Sequence, residues 1–167
     1  ALVEAKVESV MCAYNSTDGQ PCCANKYLIS DVLLKKWNFK GHVVTDCGAI
    51  DDFYTPKDKG GHGTVKSEAA AAALVVKSGV SLNYGSSYKA LPQAVKEGLI
   101  TEKEIDEQLS ILLKTRFKLG LFDPMGSNPY DAISADVVNS KTHRELAKEV
   151  AQKGIVLLKN NGVLPLK

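Results

Sequence analysis

One carboxylate, Asp46, stands at the end of the run Val43-Val44-Thr45-Asp46-Cys47-Gly48. Two β-branched residues followed by a polar break predict a buried strand over residues 43–45 with Asp46 at its carboxyl end. In parallel α/β folds reacting groups gather at that end, because the loops there frame the open mouth of the sheet or barrel. A carboxylate so placed can attack carbon, accept a phosphoryl group, or simply cap a turn. Phosphoryl transfer needs further acidic groups at the end of the preceding strand to hold magnesium. That strand ends in Ala13-Tyr14-Asn15, which argues against it. Asp51 and Asp52 fall in a polar stretch and read as solvated loop carboxylates, not as a catalytic or metal-binding pair. Gly60-Gly61-His62-Gly63 has the glycines of a phosphate cradle but no following Lys and Ser/Thr, and reads as a flexible active-site rim.

The other reactive side chains give weaker signals. The four cysteines stand at 12, 22, 23 and 47, with no Cys-x-x-Cys pair, and His42, His62 and His143 are isolated. No zinc pattern results, and neither a metal nor a cofactor is expected. In an oxidising compartment Cys12 could bond to Cys22 or Cys23 and close a short loop; buried free thiols fit the spacing equally well. The triplet Asn15-Ser16-Thr17 matches a glycosylation acceptor, a pattern common enough by chance to carry no weight.

The elements that must position Asp46 follow from periodicity. A strand is predicted within residues 8–14, a turn at Asp18-Gly19, a helix over 27–39, and the Asp46 strand over 43–45. Residues 51–66 read as a polar loop. Ser67 caps an alanine-rich helix running to Lys77, and residues 80–82 begin a third strand ending in Asn83-Tyr84-Gly85. A helix over 88–97 follows. Thr101-x-x-Glu104 is a capping box that opens a helix to about Lys118, with Ile105, Leu109, Leu112 and Leu113 as its buried stripe. Residues 123–140, carrying Pro124, Gly126, Asn128 and Pro129, read as a linker. Thr142-x-x-Glu145 is a second capping box, and residues 155–158 read as a strand before an Asn160-Asn161-Gly162 turn. Leu2, Val3 and Val7 suggest the tail of a helix. The chain starts mid-element and stops in Leu164-Pro165-Leu166-Lys167, and so reads as a piece of a longer protein.

At 167 residues, 44% hydrophobic and 24% charged, the chain has the composition of a soluble globular protein. A formal net charge of +2 gives no electrostatic case for nucleic acid. No apolar run reaches the roughly 20 residues that span a bilayer. A few parallel strands make a poor free-standing sheet but a sensible part of a (β/α)8 barrel. A non-catalytic scaffold or interaction piece is the competing reading.

Four ordered motifs then carry a resemblance. Met11-Cys12-Ala13-Tyr14-Asn15 with Gly19-Gln20-Pro21, and Trp37-Asn38-Phe39-Lys40-Gly41-His42 running into Val43-Val44-Thr45-Asp46, resemble glycoside hydrolase family 3. So do Arg116-Phe117-Lys118-Leu119-Gly120-Leu121-Phe122-Asp123-Pro124, and His143-Arg144-Glu145-Leu146-Ala147 with Ile155-Val156-Leu157-Leu158-Lys159-Asn160. The resemblance implies a retaining, exo-acting β-glycosidase with Asp46 as nucleophile and Tyr14 and Cys47 beside the sugar. Cys47-Gly48-Ala49-Ile50 is most similar to the β-xylosidase-like branch, which implies terminal β-D-xylosides, with β-D-glucosides or α-arabinofuranosides second. The implied fold is α/β: the C-terminal part of a TIM-type barrel, about three βα units, over 1–122. A linker over 123–140 and the first helix and strand of an α/β sandwich over 141–167 follow. The acid/base carboxylate is expected beyond Lys167, and the chain alone is expected to be inactive. Ser81 stands where the family usually has an acidic residue, and Tyr84 where Cys is common. Exposed barrel edges imply self-association of the piece, and the parent protein is expected to be secreted or periplasmic.

Overall fold

The computed structural model describes residues 4–166; the predicted helix tail at Leu2 and Val3 lies outside them. The chain divides into two compact units, Ala1–Phe122 and Asp123–Lys167.

In the first unit β1 (Ser9–Cys12) leads into a short hairpin of β2 (Ser16–Thr17) and β3 (Gln20–Pro21). A disulfide joins Cys12 to Cys23 with Cα atoms 5.2 Å apart, so the end of β1 is tied to the turn after the hairpin. Cys22 and Cys47 are free. A π-helix, Tyr27–Lys36, carries the chain back and buries Ile29 and Leu33 on one face. It ends earlier than the predicted Phe39 because Asn38 takes a left-handed conformation (φ 53°). Phe39 then packs against the core. The crossover brings β4 (His42–Thr45) alongside β1 in parallel, Ser9 opposite His42 and Cys12 opposite Thr45.

Residues 51–66 are not a plain polar loop. They open with α1 (Asp51–Tyr54), anchored by Ile50 and Phe53, both essentially inaccessible. In α2 (Glu68–Lys77) the Ser67 hydroxyl accepts from the Ala70 N–H, as its cap position predicts. Ala71, Ala72 and Val75 are fully buried, and alanine side chains let the helix lie close to its neighbours.

The predicted strand at 80–82 is reduced to a single parallel bridge, Leu82 to Val44. The amides of Ser81 and Leu82 both donate to the Val43 carbonyl, at 2.9 and 3.1 Å, so the ladder loses its regular step. The predicted helix over 88–97 is also divided. Pro92 has no N–H to continue an α-helical ladder, so a 3-10 turn at Ser87–Ala90 precedes α3 (Leu91–Lys96). In α4 (Glu102–Lys118) the Thr101–Glu104 capping box is complete. Its predicted apolar stripe is not: Leu109 is exposed, because the helix presents Gln108 and Thr115 to the strands.

The second unit contains 3-10 turns at Pro129–Ala132 and Ala135–Val137, then α5 (Lys141–Gly154). Ser140, not Thr142, caps α5, its hydroxyl accepting from the His143 N–H at 3.3 Å. Residues 155–158 form no strand. A ladder needs a partner edge, and the described residues of this unit offer none. Asn160 closes the following turn by accepting from the Gly162 and Leu164 amides. Among the described residues no helix is long and apolar enough to cross a membrane.

Candidate active site

Asp46 is the first residue past β4, and its N–H still reaches the Cys12 carbonyl at 3.2 Å. The backbone then turns. Asp46 Oδ1 accepts from the Cys47 N–H at 2.7 Å. Gly48, at φ 72°, directs its N–H to the Tyr84 carbonyl at 2.8 Å. A residue with a Cβ would be strained in that conformation. Thr45, fully buried, fixes the opposite side: its hydroxyl accepts from the Tyr84 N–H at 2.9 Å and donates to Asn83 Oδ1 at 3.1 Å. The carboxylate is therefore partly buried at the end of the middle of three parallel segments, with its turn bonded to a neighbour on each side.

Tyr14 meets this turn from the end of β1, its hydroxyl donating to the Cys47 carbonyl. Partial desolvation, then the neighbouring Asp46 and Cys47, hold the phenol above its usual pKa, so it remains a neutral donor. Cys47 is exposed and its thiol is free. The structure thus brings Asp46, Tyr14 and Cys47 together.

Three further residues stand differently from their sequence readings. Asp51 is not a solvated carboxylate: its Oδ1 accepts from Ser87 Oγ at 2.7 Å and Tyr54 Oη at 3.2 Å, tying α1 to the turn before α3. Ser81 is buried with its hydroxyl on Gln108 Oε1 at 2.8 Å, so this departure from the family pattern belongs to strand–helix packing. His62, read from sequence only as part of a flexible rim, is bonded to the Tyr14 carbonyl through Nε2 at 2.8 Å. That bond spans 48 positions, and no local pattern signals it. Among the described residues no cluster of His, Cys, Asp and Glu could hold a metal ion.

Comparison with known proteins gives a consistent picture. Residues 1–114 match the model of the glycosyl hydrolase family 3 N terminal domain. A probable exo-1,4-beta-xylosidase of Neosartorya fischeri is 45% identical over 98% of this chain and 21% of its own length. A xylan 1,4-beta-xylosidase of Xylanibacter ruminicola is 38% identical over 98% of this chain and 19% of its own. Among solved structures, an exo-beta-xylosidase in complex with a xylobiose aziridine activity-based probe superposes with a TM-score of 0.81. It is 36% identical and covers 98% of this chain and 21% of that one. A beta-glucosidase from Erythrobacter marinus gives a TM-score of 0.78 at 34% identity, covering 99% and 22%. The chain thus spans about a fifth of the length of the curated relatives it matches.

Proposed function

The chain belongs to glycosyl hydrolase family 3, and from that premise we propose that its full-length protein is a retaining exo-β-glycosidase with Asp46 as nucleophile. In the first step the Asp46 carboxylate attacks the anomeric carbon and the bond to the aglycone oxygen breaks. That oxygen leaves with a proton from a second carboxylic acid, which we place outside this chain. In the second step the same group, now a base, takes a proton from water as the water oxygen bonds to the anomeric carbon, and the bond to Asp46 breaks, releasing the sugar and restoring the carboxylate. The observation that carries the reading is the placement of Asp46. It ends the middle parallel segment, with one oxygen already fixed by the Cys47 amide and the Tyr14 hydroxyl on the adjoining peptide. An Asp has few bonds to rotate, so a rigid strand end aims it well.

Terminal β-D-xylosides are the substrates we assign, with Cys47 and Tyr14 at the edge of the sugar. The two xylosidase relatives and the xylobiose-probe complex support this choice. The similarity to a beta-glucosidase keeps β-D-glucosides as the second reading. The parallel segments and their helical crossovers belong in this proposal to the C-terminal part of a (β/α)8 barrel over 1–122. Residues 123–140 serve as linker and 141–167 open an α/β sandwich. The Cys12–Cys23 disulfide supports a secreted or periplasmic setting.

The test is covalent trapping. The full-length protein treated with a 2-fluoro xyloside is expected to carry the sugar on the peptide containing Asp46. Label on any other residue of an active enzyme overturns the assignment. Faster trapping by the 2-fluoro glucoside moves the substrate to the second reading.

A further inference from the structure

We propose that His62 is a positioning residue for this reaction. It clamps the backbone of Tyr14 so that the Tyr14 hydroxyl stays seated on the Asp46–Cys47 turn. The inference rests on the reading of Asp46 as nucleophile.

The His62 ring is held on three sides. Nε2 lies 2.8 Å from the Tyr14 carbonyl oxygen. A carbonyl only accepts, so Nε2 carries a hydrogen. Nδ1 lies 3.0 Å from Ser16 Oγ, and in the neutral ring it accepts the serine proton. The ring stands edge-on to Phe53, centroids 6.0 Å apart and planes at 73°, and Phe53 is a buried core residue. The His62 backbone is fixed as well: its N–H donates to the Asp52 carbonyl at 2.6 Å. The neighbouring Gly63 and Gly61 amides donate to the Thr55 and Pro56 carbonyls at 2.9 and 3.1 Å. The glycine-containing segment is thus a fastened strap, not a flexible rim.

Both ring nitrogens are already engaged, which disfavours His62 as a general acid or base. It faces instead a part of the chain in need of support. Tyr14 lies beyond the end of β1, is exposed, and reaches the nucleophile turn through one hydrogen bond to the Cys47 carbonyl. A small drift of its backbone would carry the phenol off that carbonyl. The Cys47 N–H is the donor that fixes Asp46 Oδ1, so the disturbance passes directly to the reacting carboxylate. Misplacement of about 1 Å at such a site lowers rates by up to roughly 10²-fold.

A double-mutant cycle on the full-length protein, read as kcat/KM with an aryl β-xyloside, tests this. His62→Ala is expected to lower kcat/KM about tenfold, through kcat more than KM. His62→Gln, whose amide keeps a donor near the Nε2 position, is expected to recover most of that loss. In a Tyr14→Phe background, where the seated hydroxyl is gone, His62→Ala is expected to cost less than about twofold further. An equal fall in both backgrounds, or no fall with His62→Ala alone, overturns the proposal. If His62→Ala does not fold, the same comparison is made with His62→Phe, which keeps the ring contact with Phe53 and removes both hydrogen bonds. Failure of the underlying reading appears separately, as 2-fluoro xyloside label away from Asp46 in the unmodified enzyme.

Discussion

Asp46 Oδ1 accepts a hydrogen bond from the next residue's amide, and an asparagine oxygen can do the same. Asp46→Asn in the full-length protein therefore removes the proposed nucleophile while keeping the turn. Its kcat on an aryl β-xyloside should fall by roughly 10⁴-fold, with a thermal midpoint that matches the parent. Loss of turnover accompanied by loss of stability would point to a structural carboxylate instead. The strand-end position of Asp46 was legible in the sequence because β-branched residues stop abruptly before it, a local signal. Asp51 was misread for the opposite reason. Its partner Ser87 lies 36 positions away, and nothing within a window around Asp51 announces it. His62 escaped notice in the same way, its contact with Tyr14 being formed by folding alone.

Capping chemistry is local, and helix starts were accordingly well read at Ser67 and Thr101. Thr101 is the stronger case, since its hydroxyl takes the Glu104 N–H while the Glu104 carboxylate takes the Thr101 N–H at 2.8 Å. The hydrogen bonds from Thr101 hold the Glu104 carboxyl below its ordinary range. Thr101→Ala should destabilise the protein by about 1 kcal/mol, measured by urea unfolding. At α5 two caps competed, and Ser140 won two positions ahead of the expected box. Strands were read less well than helices, because a strand is completed by its neighbour. Residues 80–82 have the composition of a strand, yet two amides share one carbonyl and only Leu82 pairs. Residues 155–158 have the apolar run without the partner edge.

At the scale of the molecule, the start of β1 is held to the end of α4 by a cluster that sequence patterns do not reveal. Lys118 Nζ donates to Glu8 Oε1 at 2.9 Å and Oε2 at 3.1 Å. The Thr115 hydroxyl donates to Glu8 at 3.0 Å, and its oxygen faces His42 Nδ1 at 3.2 Å. The Lys118 hydrogen bond, opposed by partial burial and aided by Thr115, holds Glu8 below its ordinary value of 4.5. A lowered carboxyl pKa stabilises the fold above that value, and the stabilisation is lost as pH falls through the folded-state pKa. Burial lowers His42 from 6.5, which also weakens the fold on acidification, beginning at higher pH. Unfolding midpoints are therefore expected to decline below about pH 6.5 and again below about pH 4.5. Glu8→Gln should flatten the lower step, an effect of only a fraction of a kcal/mol at this exposed pair. The parallel crossover that builds the site has a consequence in time. Tyr14 and Cys47 meet across 33 positions and His62 and Tyr14 across 48, so neither contact exists until distant stretches of chain have closed on each other. During refolding the helices can form before these contacts close, and a molecule can acquire its secondary structure while Tyr14, Asp46 and His62 are still apart.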